Sequence, residues 1–252
     1  LKNLAVIQVR TDSTRLPGKA MLPLSGIPMI GYMINRLKSS RLINKLIVAT
    51  TSSVSDDQLS LYTNSLGIDT YRGSENDVLA RVYAASKKYN PLTLIRLTGD
   101  CPLIDVGIVD NLIEKYYTSK AEYSWVHESF AEGLDAEAIS FKALSLCLKN
   151  SIYNSEREHI TQYIHNNKDK FKIVPLLNST DDSNIRIVVD EPRDYDLVSI
   201  ITKHFDREFN SKYYSFKDIK RYLNENPELL EINANIIRNE GLKISKANDF
   251  KI

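Results

Sequence analysis

The sequence predicts an α/β protein: a mainly parallel sheet covered by helices on both faces, with a small β/α arm in the second half. Two observations predict it. Short apolar runs recur at Leu4–Val9, Lys45–Thr50 and Thr93–Leu97, and each is followed by a stretch whose apolar residues repeat at helical spacing. Strands that are apolar throughout and alternate with amphipathic helices belong to parallel sheets buried on both sides.

Leu4–Val9 reads as the first buried strand. Gly26 and Pro28 open a helix over Ile27–Leu37. After Lys45–Thr50, Ser55-Asp56-Asp57 caps a helix that runs to about Leu66, where Gly67 stops it. Asp69–Arg72 is a short third strand, and Glu75–Tyr89 repeats apolar residues at Val78, Leu79, Val82 and Ala85. Thr93–Leu97 ends at Thr98-Gly99-Asp100-Cys101-Pro102, ahead of a helix near Val106–Tyr117. Beyond it, Ala121–Val126 and Ala136–Ser140 read as strands, and Phe141–Leu148 and Ser155–His165 as helices. Lys172–Leu177 and Ile185–Val189 return to strand character before a helix over Pro192–His204. One or two helices and a polar tail follow Phe216. Without a repeat or a low-complexity linker, the chain reads as one domain over 1–210, its arm spanning roughly 121–180, with a C-terminal helical extension over 211–252.

A length of 252 residues suffices for one large core. Thirty-three basic residues balance 32 acidic ones, so no bulk field points to nucleic acid or an anionic membrane, and any anion site must be local. Cys101 and Cys147 make neither a disulfide framework nor a zinc cluster, which fits a reducing cytoplasm. No apolar run approaches the roughly 20 residues of a membrane span, and the N-terminus predicts no signal peptide.

Ligands of such sheets bind beyond the carboxyl ends of the strands. That rule puts the Arg10–Lys19 loop and the Thr98–Pro102 loop on one rim. Arg10, Arg15 and Lys19 lie within ten residues of Thr11, Ser13, Thr14 and Gly18. Fixed guanidinium forks, a compact ammonium and hydroxyl donors can hold a polyphosphate; the alternative is a solvated turn. Neither a Walker loop nor a Gly-x-Gly-x-x-Gly run occurs, which disfavours ordinary ATPases and dehydrogenases. Asp100 suits Mg2+ shared with phosphates, or else caps the next helix. Asp190 closes the apolar run Ile185–Val189 and reads equally as a second metal carboxylate or an N-cap. Arg72, Ser74 and Asp77 lie in a turn into a helix, where a nucleotide can be read or the helix simply capped. Asp135 and Glu137, at i and i+2 on a strand, share a face that can hold an acceptor's hydroxyls or amines. Glu156 and His159 share a helix face, or belong to a capped, solvated helix start. His127, His165 and His204 stand isolated and receive no role; Cys147 reads as core.

Taken together, these segments resemble the SpsF-like cytidylyltransferases, relatives of the CMP-sialate and CMP-KDO synthetases. The resemblance rests on Gln8-Val9-Arg10-x-x-Ser13-Thr14-Arg15-Leu16-Pro17-Gly18-Lys19, Tyr71-Arg72-Gly73-Ser74-Glu75-x-Asp77 and Arg96-x-Thr98-Gly99-Asp100-Cys101-Pro102. Glu132-Gly133-Leu134-Asp135-x-Glu137, Glu156-x-Glu158-His159-x-Thr161, Val189-Asp190 and Arg238-Asn239-Glu240-Gly241 extend it. It implies a Rossmann-like nucleotidyltransferase sheet of the glycosyltransferase-A type, CTP as donor, Mg2+ as cofactor and a homodimer. By similarity, Arg10, Ser13, Arg15, Lys19, Arg72, Ser74 and Asp77 would bind the nucleotide. Arg15, Lys19 and Asp100 would be catalytic, Asp100 and Asp190 would hold the metal, and Asp135, Glu137, Glu156 and His159 would face the acceptor. CMP would pass from CTP to a sugar acid or a phosphorylated or phosphonate small molecule, with release of pyrophosphate, in surface polysaccharide or glycoconjugate synthesis. The sialate and KDO enzymes usually carry Pro-Ala-Arg or Ala-Arg where this chain has Gln8-Val9-Arg10, so their acceptor is not carried over. A glycosyltransferase using a nucleotide sugar and a non-catalytic nucleotide-binding module are the two rival readings.

Overall fold

The computed structural model describes residues 1–209 and 213–252. β1 (Asn3–Gln8) is the sheet's centre, and its side chains alternate between two cores: Ala5 and Ile7 enter one, Leu4 and Val6 the other, all fully buried. A hairpin follows, β2 (Pro23–Leu24) and β3 (Ile27–Pro28), and then α1 (Met29–Leu37). The expected helix thus starts two residues late. Ile27 and Pro28 pair with the preceding strand across a turn in which Ser25 (φ 48°) and Gly26 (φ 82°) both take positive φ.

β4 (Lys45–Thr51), α2 (Asp57–Ser65), β5 (Asp69–Gly73), α3 (Val78–Lys87), β6 (Thr93–Thr98) and α4 (Val106–Thr118) continue the alternation. Asp77 and Asp105 accept hydrogen bonds from Ala80 N and Ile108 N and cap α3 and α4. β7 (Tyr123–Trp125) and β8 (Ala136–Ser140) complete a six-stranded sheet of order β5-β4-β1-β6-β8-β7, with β8 antiparallel to β6 and to β7. The four strands β5, β4, β1 and β6 run parallel, as predicted.

After α5 (Phe141–Asn150), the single helix expected over Ser155–His165 is two short ones, α6 (Asn154–Glu158) and α7 (Gln162–Asn166). His159 breaks them with φ −106° and ψ 56°. The strands expected at Lys172–Leu177 and Ile185–Val189 are extended segments joined by isolated bridges. Val174 N and Leu176 N donate to Tyr123 and Trp125 carbonyls, while Pro175 between them has no N–H for a further strand.

α8 (Pro192–Phe209) precedes the C-terminal part, and the expected domain boundary at residues 210–211 falls outside the described residues. α9 (Phe216–Glu225) buries Phe216, Ile219 and Leu223 in the same core as α1 and α4. Phe216 N donates to Asp105 Oδ2 at 2.6 Å, and Arg36 holds the Tyr214 carbonyl at 2.7 Å. The chain then crosses back to the strand ends, where α10 (Glu240–Ala247) lies against α6.

Candidate active site

β1 and β6 are neighbours, so the loops that leave their carboxyl ends meet. They meet closely: a Cβ on Gly99 would stand 2.5 Å from Val9 Cγ2. The basic loop is folded on itself by Ser13 N and Gly18 N, both donating to the Thr11 carbonyl at 2.8 and 2.9 Å. Thr11 is in turn gripped by the buried Asp56, which accepts from its N–H and its hydroxyl, both at 2.7 Å. Thr50, Thr51 and the Thr51 N–H donate to the other Asp56 oxygen. Asp56 therefore ties the loop to β4 and makes no side-chain cap on α2, contrary to its expected role. Burial pushes its carboxyl pKa up, but donation from Thr51, Thr11 and Thr50 outweighs this and holds it below the usual range.

The loop ends at Lys19. Its Nζ lies 2.6 Å from Asp190 Oδ1, 3.5 Å from Asp100 Oδ2 and 2.8 Å from the Val189 carbonyl. Val189 N donates to the Asp100 carbonyl at 2.8 Å, which locks the two carboxylate segments side by side. Burial works against the Lys19 charge, but Asp100 and Asp190 raise its pKa above the ordinary value; the same ammonium keeps Asp100 ionised against its own burial. Arg15 Nη2 stands 3.0 Å from Asp190 Oδ2. Two carboxylates converging on one cation at a phosphate-type loop are the donor set that Mg2+ takes when substrate phosphates and water supply the rest. Among the described residues no cluster of three or more His, Cys, Asp or Glu side chains offers a closed metal cage.

From this corner a cavity of about 380 Å3 runs over β6, β8 and β7. Asp135 and Glu137 both line it, as their i, i+2 spacing predicted. They differ in environment. Glu137 accepts from Arg96 at 2.5 Å, Tyr123 at 2.6 Å and Thr161 at 2.7 Å, and these donors keep it ionised although burial opposes it. Asp135 accepts from Gly133 N at 2.8 Å. Gly133 must be glycine: its φ is 105°, and a Cβ would stand 2.5 Å from Val188 N. Trp125 and Tyr123 stack at 5.5 Å, with the His165 ring edge-on to both, and form an aromatic wall. His159 enters the lining, its Nε2 3.0 Å from Ser245 Oγ.

Several expected residues stand elsewhere. Arg72 is spent on the Thr51 and Ser53 carbonyls and Asp57, so it braces the β4–β5 end outside this cavity. Ser74 accepts from Asp77 N, and Asp77 caps α3 and pairs with Arg157 at 3.4 Å. Glu156 does not reach the cavity: it is 2% exposed, accepts from Ile152 N and Asn166, and closes the capping box of α6. It shares no helix face with His159, because α6 ends between them. Arg10, half-exposed, stands 3.7 Å from Glu75 at the rim, and Ser13 Oγ accepts weakly from Leu16 N at 3.4 Å. Conversely, His165 lines the cavity although its isolation in sequence carried no signal. So do Asn239, Glu240 and Gly241, part of the resemblance but given no role by it. Glu240 Oε2 lies 3.0 Å from Arg15 Nη1, and Asn239 N donates to Glu132 at 3.2 Å. Behind the cavity the buried Arg186 joins Glu132, Asp194 and Asn233's neighbourhood: its Nε and Nη2 donate to Asp194 at 2.8 and 2.9 Å, and Asn233 donates to the same carboxylate.

A family model described as Cytidylyltransferase matches residues 4–240. An uncharacterised protein of Methanocaldococcus jannaschii is 35% identical over 239 residues, 94% of this chain and 96% of its own length. The spore coat polysaccharide biosynthesis protein SpsF of Bacillus subtilis is 27% identical over 233 residues, 89% and 95% of the two chains. Among solved structures, a cytidylyltransferase from Leptospira borgpetersenii superposes with a TM-score of 0.86 at 34% identity, covering 94% of this chain and 98% of that one.

Proposed function

The chain belongs to the cytidylyltransferase family, and from that membership we propose that it transfers CMP from CTP to a small acceptor and releases pyrophosphate. The observation that carries the reading is the convergence of Lys19, Asp100 and Asp190 beside Arg15. Asp100 and Asp190 would hold Mg2+, which when bound neutralises phosphate oxygens and activates the α-phosphorus. Lys19 and Arg15 then turn from the carboxylates toward the triphosphate and meet the charge that develops on the leaving pyrophosphate. Arg10 and Ser13, at the rim, add donors to it. Arg72, Ser74 and Asp77 act on the nucleotide through the shape of the β5–α3 turn. Asp135, Glu137 and His159 line the acceptor end, where the aromatic wall offers an apolar face; Glu156 supports it from behind.

A sugar acid or a phosphorylated or phosphonate molecule is the acceptor class, and a surface polysaccharide its destination. The name of the Bacillus relative supports the polysaccharide destination; the acceptor class and a homodimer rest on the resemblance alone, and a reducing cytoplasm on the two unpaired cysteines. No described helix is long and apolar enough to cross a membrane. The glycosyltransferase rival often shows an Asp-x-Asp for its metal. Asp194-Tyr195-Asp196 does not serve, since Asp194 is fully buried against Arg186 and Asn233.

The test is pyrophosphate release from CTP, UTP, ATP and GTP with Mg2+ and pooled acceptors. Release from CTP in preference to the others is expected. Transfer from a nucleotide sugar, or CTP binding with no release in any mixture, overturns the reading.

A further inference from the structure

Residues 238–252 cross the cavity as a strap that contains α10. Successive side chains of the strap reach three groups of the site. Arg238 Nη2 stands 4.0 Å from Asp135 Oδ1, Glu240 Oε2 3.0 Å from Arg15 Nη1 and Ser245 Oγ 3.0 Å from His159 Nε2. Gly241 and Leu242, between them, line the cavity. Both ends of the strap are well fastened. At the start, Arg238 Nη1 donates to the Glu128 and Phe130 carbonyls at 2.8 and 3.0 Å, and Asn239 N donates to Glu132 at 3.2 Å. At the far end, Asp249 accepts from the buried Ser155, from N at 2.9 Å and from Oγ at 2.6 Å. Asn154 N donates to the Phe250 carbonyl and Ile252 N to the Ile152 carbonyl, both at 2.9 Å. α10 itself is held differently. It has eight residues, none of them fully buried, and Ile244 is exposed. A helix this short has little stability of its own. Among the described residues, the polar contacts that tie its side chains to the rest of the chain are Glu240 with Arg15 and Ser245 with Glu158 and His159.

We propose that α10 is a gate at the acceptor end of the cavity, latched by Glu240 on Arg15 and unlatched when a triphosphate takes that guanidinium. This rests on the cytidylyltransferase reading and gives its site a moving part. Glu240 offers Arg15 what a phosphate offers, anionic oxygens for a planar fork. The pair is partly solvated, with the side chains 34% and 36% exposed, so it is a weak tie that a polyanion with Mg2+ can displace. Once Arg15 turns to the triphosphate, Glu240 has lost its cation and faces a polyanion of its own sign. Glu240 is the first residue of α10, so repulsion there lifts the helix's first turn. Asn239, at φ 56° just before the helix, is the hinge on the near side. Gly241 and Leu242 move with the turn, and the cavity widens toward His159. The two fastened ends, at Glu128–Glu132 and at Ile152–Ser155, keep the strap in place.

The experiment is hydrogen–deuterium exchange of the full chain, read on peptides covering 240–248, without ligand, with CTP–Mg2+ and with tripolyphosphate–Mg2+. Tripolyphosphate takes the Arg15 site without a nucleoside. Both ligands are expected to speed exchange in α10 by about fivefold, the scale on which one partly exposed ion pair acts, and to leave the peptide over 150–156 unchanged. Glu240→Gln, which keeps the side chain's shape and removes its charge, should exchange faster by the same factor without ligand and respond no further to either one. Exchange in α10 that slows with CTP, or that changes with neither ligand, overturns the gate, as does a Glu240→Gln variant that exchanges like the wild type. Calorimetry separates that failure from failure of the underlying reading. CTP–Mg2+ that binds without moving α10 retains the cytidylyltransferase function and removes the gate. A response to tripolyphosphate with no binding of CTP upholds the latch and overturns the cytidylyltransferase function.

Discussion

The Lys19 ammonium lies 2.6 Å from Asp190 Oδ1, although 171 positions separate the two residues in sequence. The same nitrogen is 3.5 Å from Asp100. One cation therefore holds the two candidate metal ligands together, and removing any of the three changes the charge balance of the corner. Lys19→Ala and Asp100→Asn are expected to lower pyrophosphate release by on the order of a hundredfold or more, the scale of losing one preorganised electrostatic contact. Circular dichroism should find both variants folded, and near-normal turnover in either would remove it from the site.

Glu240 occupies Arg15 at 3.0 Å and so competes with a triphosphate for the same guanidinium. A partly exposed pair of this kind contributes up to about 1 kcal/mol. Glu240→Gln is accordingly expected to lower KM for CTP by about two- to fivefold, read from initial rates at low ionic strength. A raised KM would show that Glu240 helps to place Arg15 instead.

Asp56 links the basic loop to β4 through Thr11, Thr50 and Thr51. Replacing it by Ala strands several buried donors and should cost about 2–3 kcal/mol in urea unfolding. Its folded pKa lies below the unfolded value, so its contribution is fully present above an unfolded pKa of about 3.9 and fades as the pH falls through the lower folded value. The stability difference between wild type and Asp56→Ala should therefore shrink on acidification; a constant difference from pH 7 to pH 3 counts against the linkage.

Gly133→Ala places a methyl 2.5 Å from Val188 N at a φ of 105°. Both backbone strain and overlap oppose it, at a cost of roughly 2–4 kcal/mol. Thermal melting should reveal the loss, and Asp135, anchored by the Gly133 N–H, should lose its place even in protein that folds at low temperature. Unchanged kcat in folded Gly133→Ala would show that the anchor is dispensable.

Much of the sheet was legible from the chain because buried parallel strands are apolar along their whole length. Leu4–Val9, Lys45–Thr50 and Thr93–Leu97 needed no partner to be recognised, and the rule that ligand loops gather at carboxyl ends put the loops of the first and fourth strands on one rim; that the two strands are direct neighbours is visible only in the folded sheet. The helix over Ser155–His165 was legible in composition but not in continuity, since the break at His159 comes from side chains that reach α10 and β8. Asp56 resembled a cap because its local sequence is that of a cap. Its actual partners, Thr11 and Thr50–Thr51, come from two other segments.

The sequence alone established the α/β class, the basic loop, Asp100 as a carboxylate at a strand end and Asp190 as one closing an apolar extended run, because these depend on periodicity and on residue types a few positions apart. Which charges meet depended on the folded chain. Only in three dimensions does Lys19 stand between Asp100 and Asp190, does Glu240 reach Arg15 across 225 positions, and does Glu137 gather three side-chain donors while Asp135, two residues away, has one backbone donor and a long ion pair to Arg238. The reason is physical. A side chain's charge is written in the sequence, but its solvation and its partners are set by whatever the fold brings within a few ångströms of it.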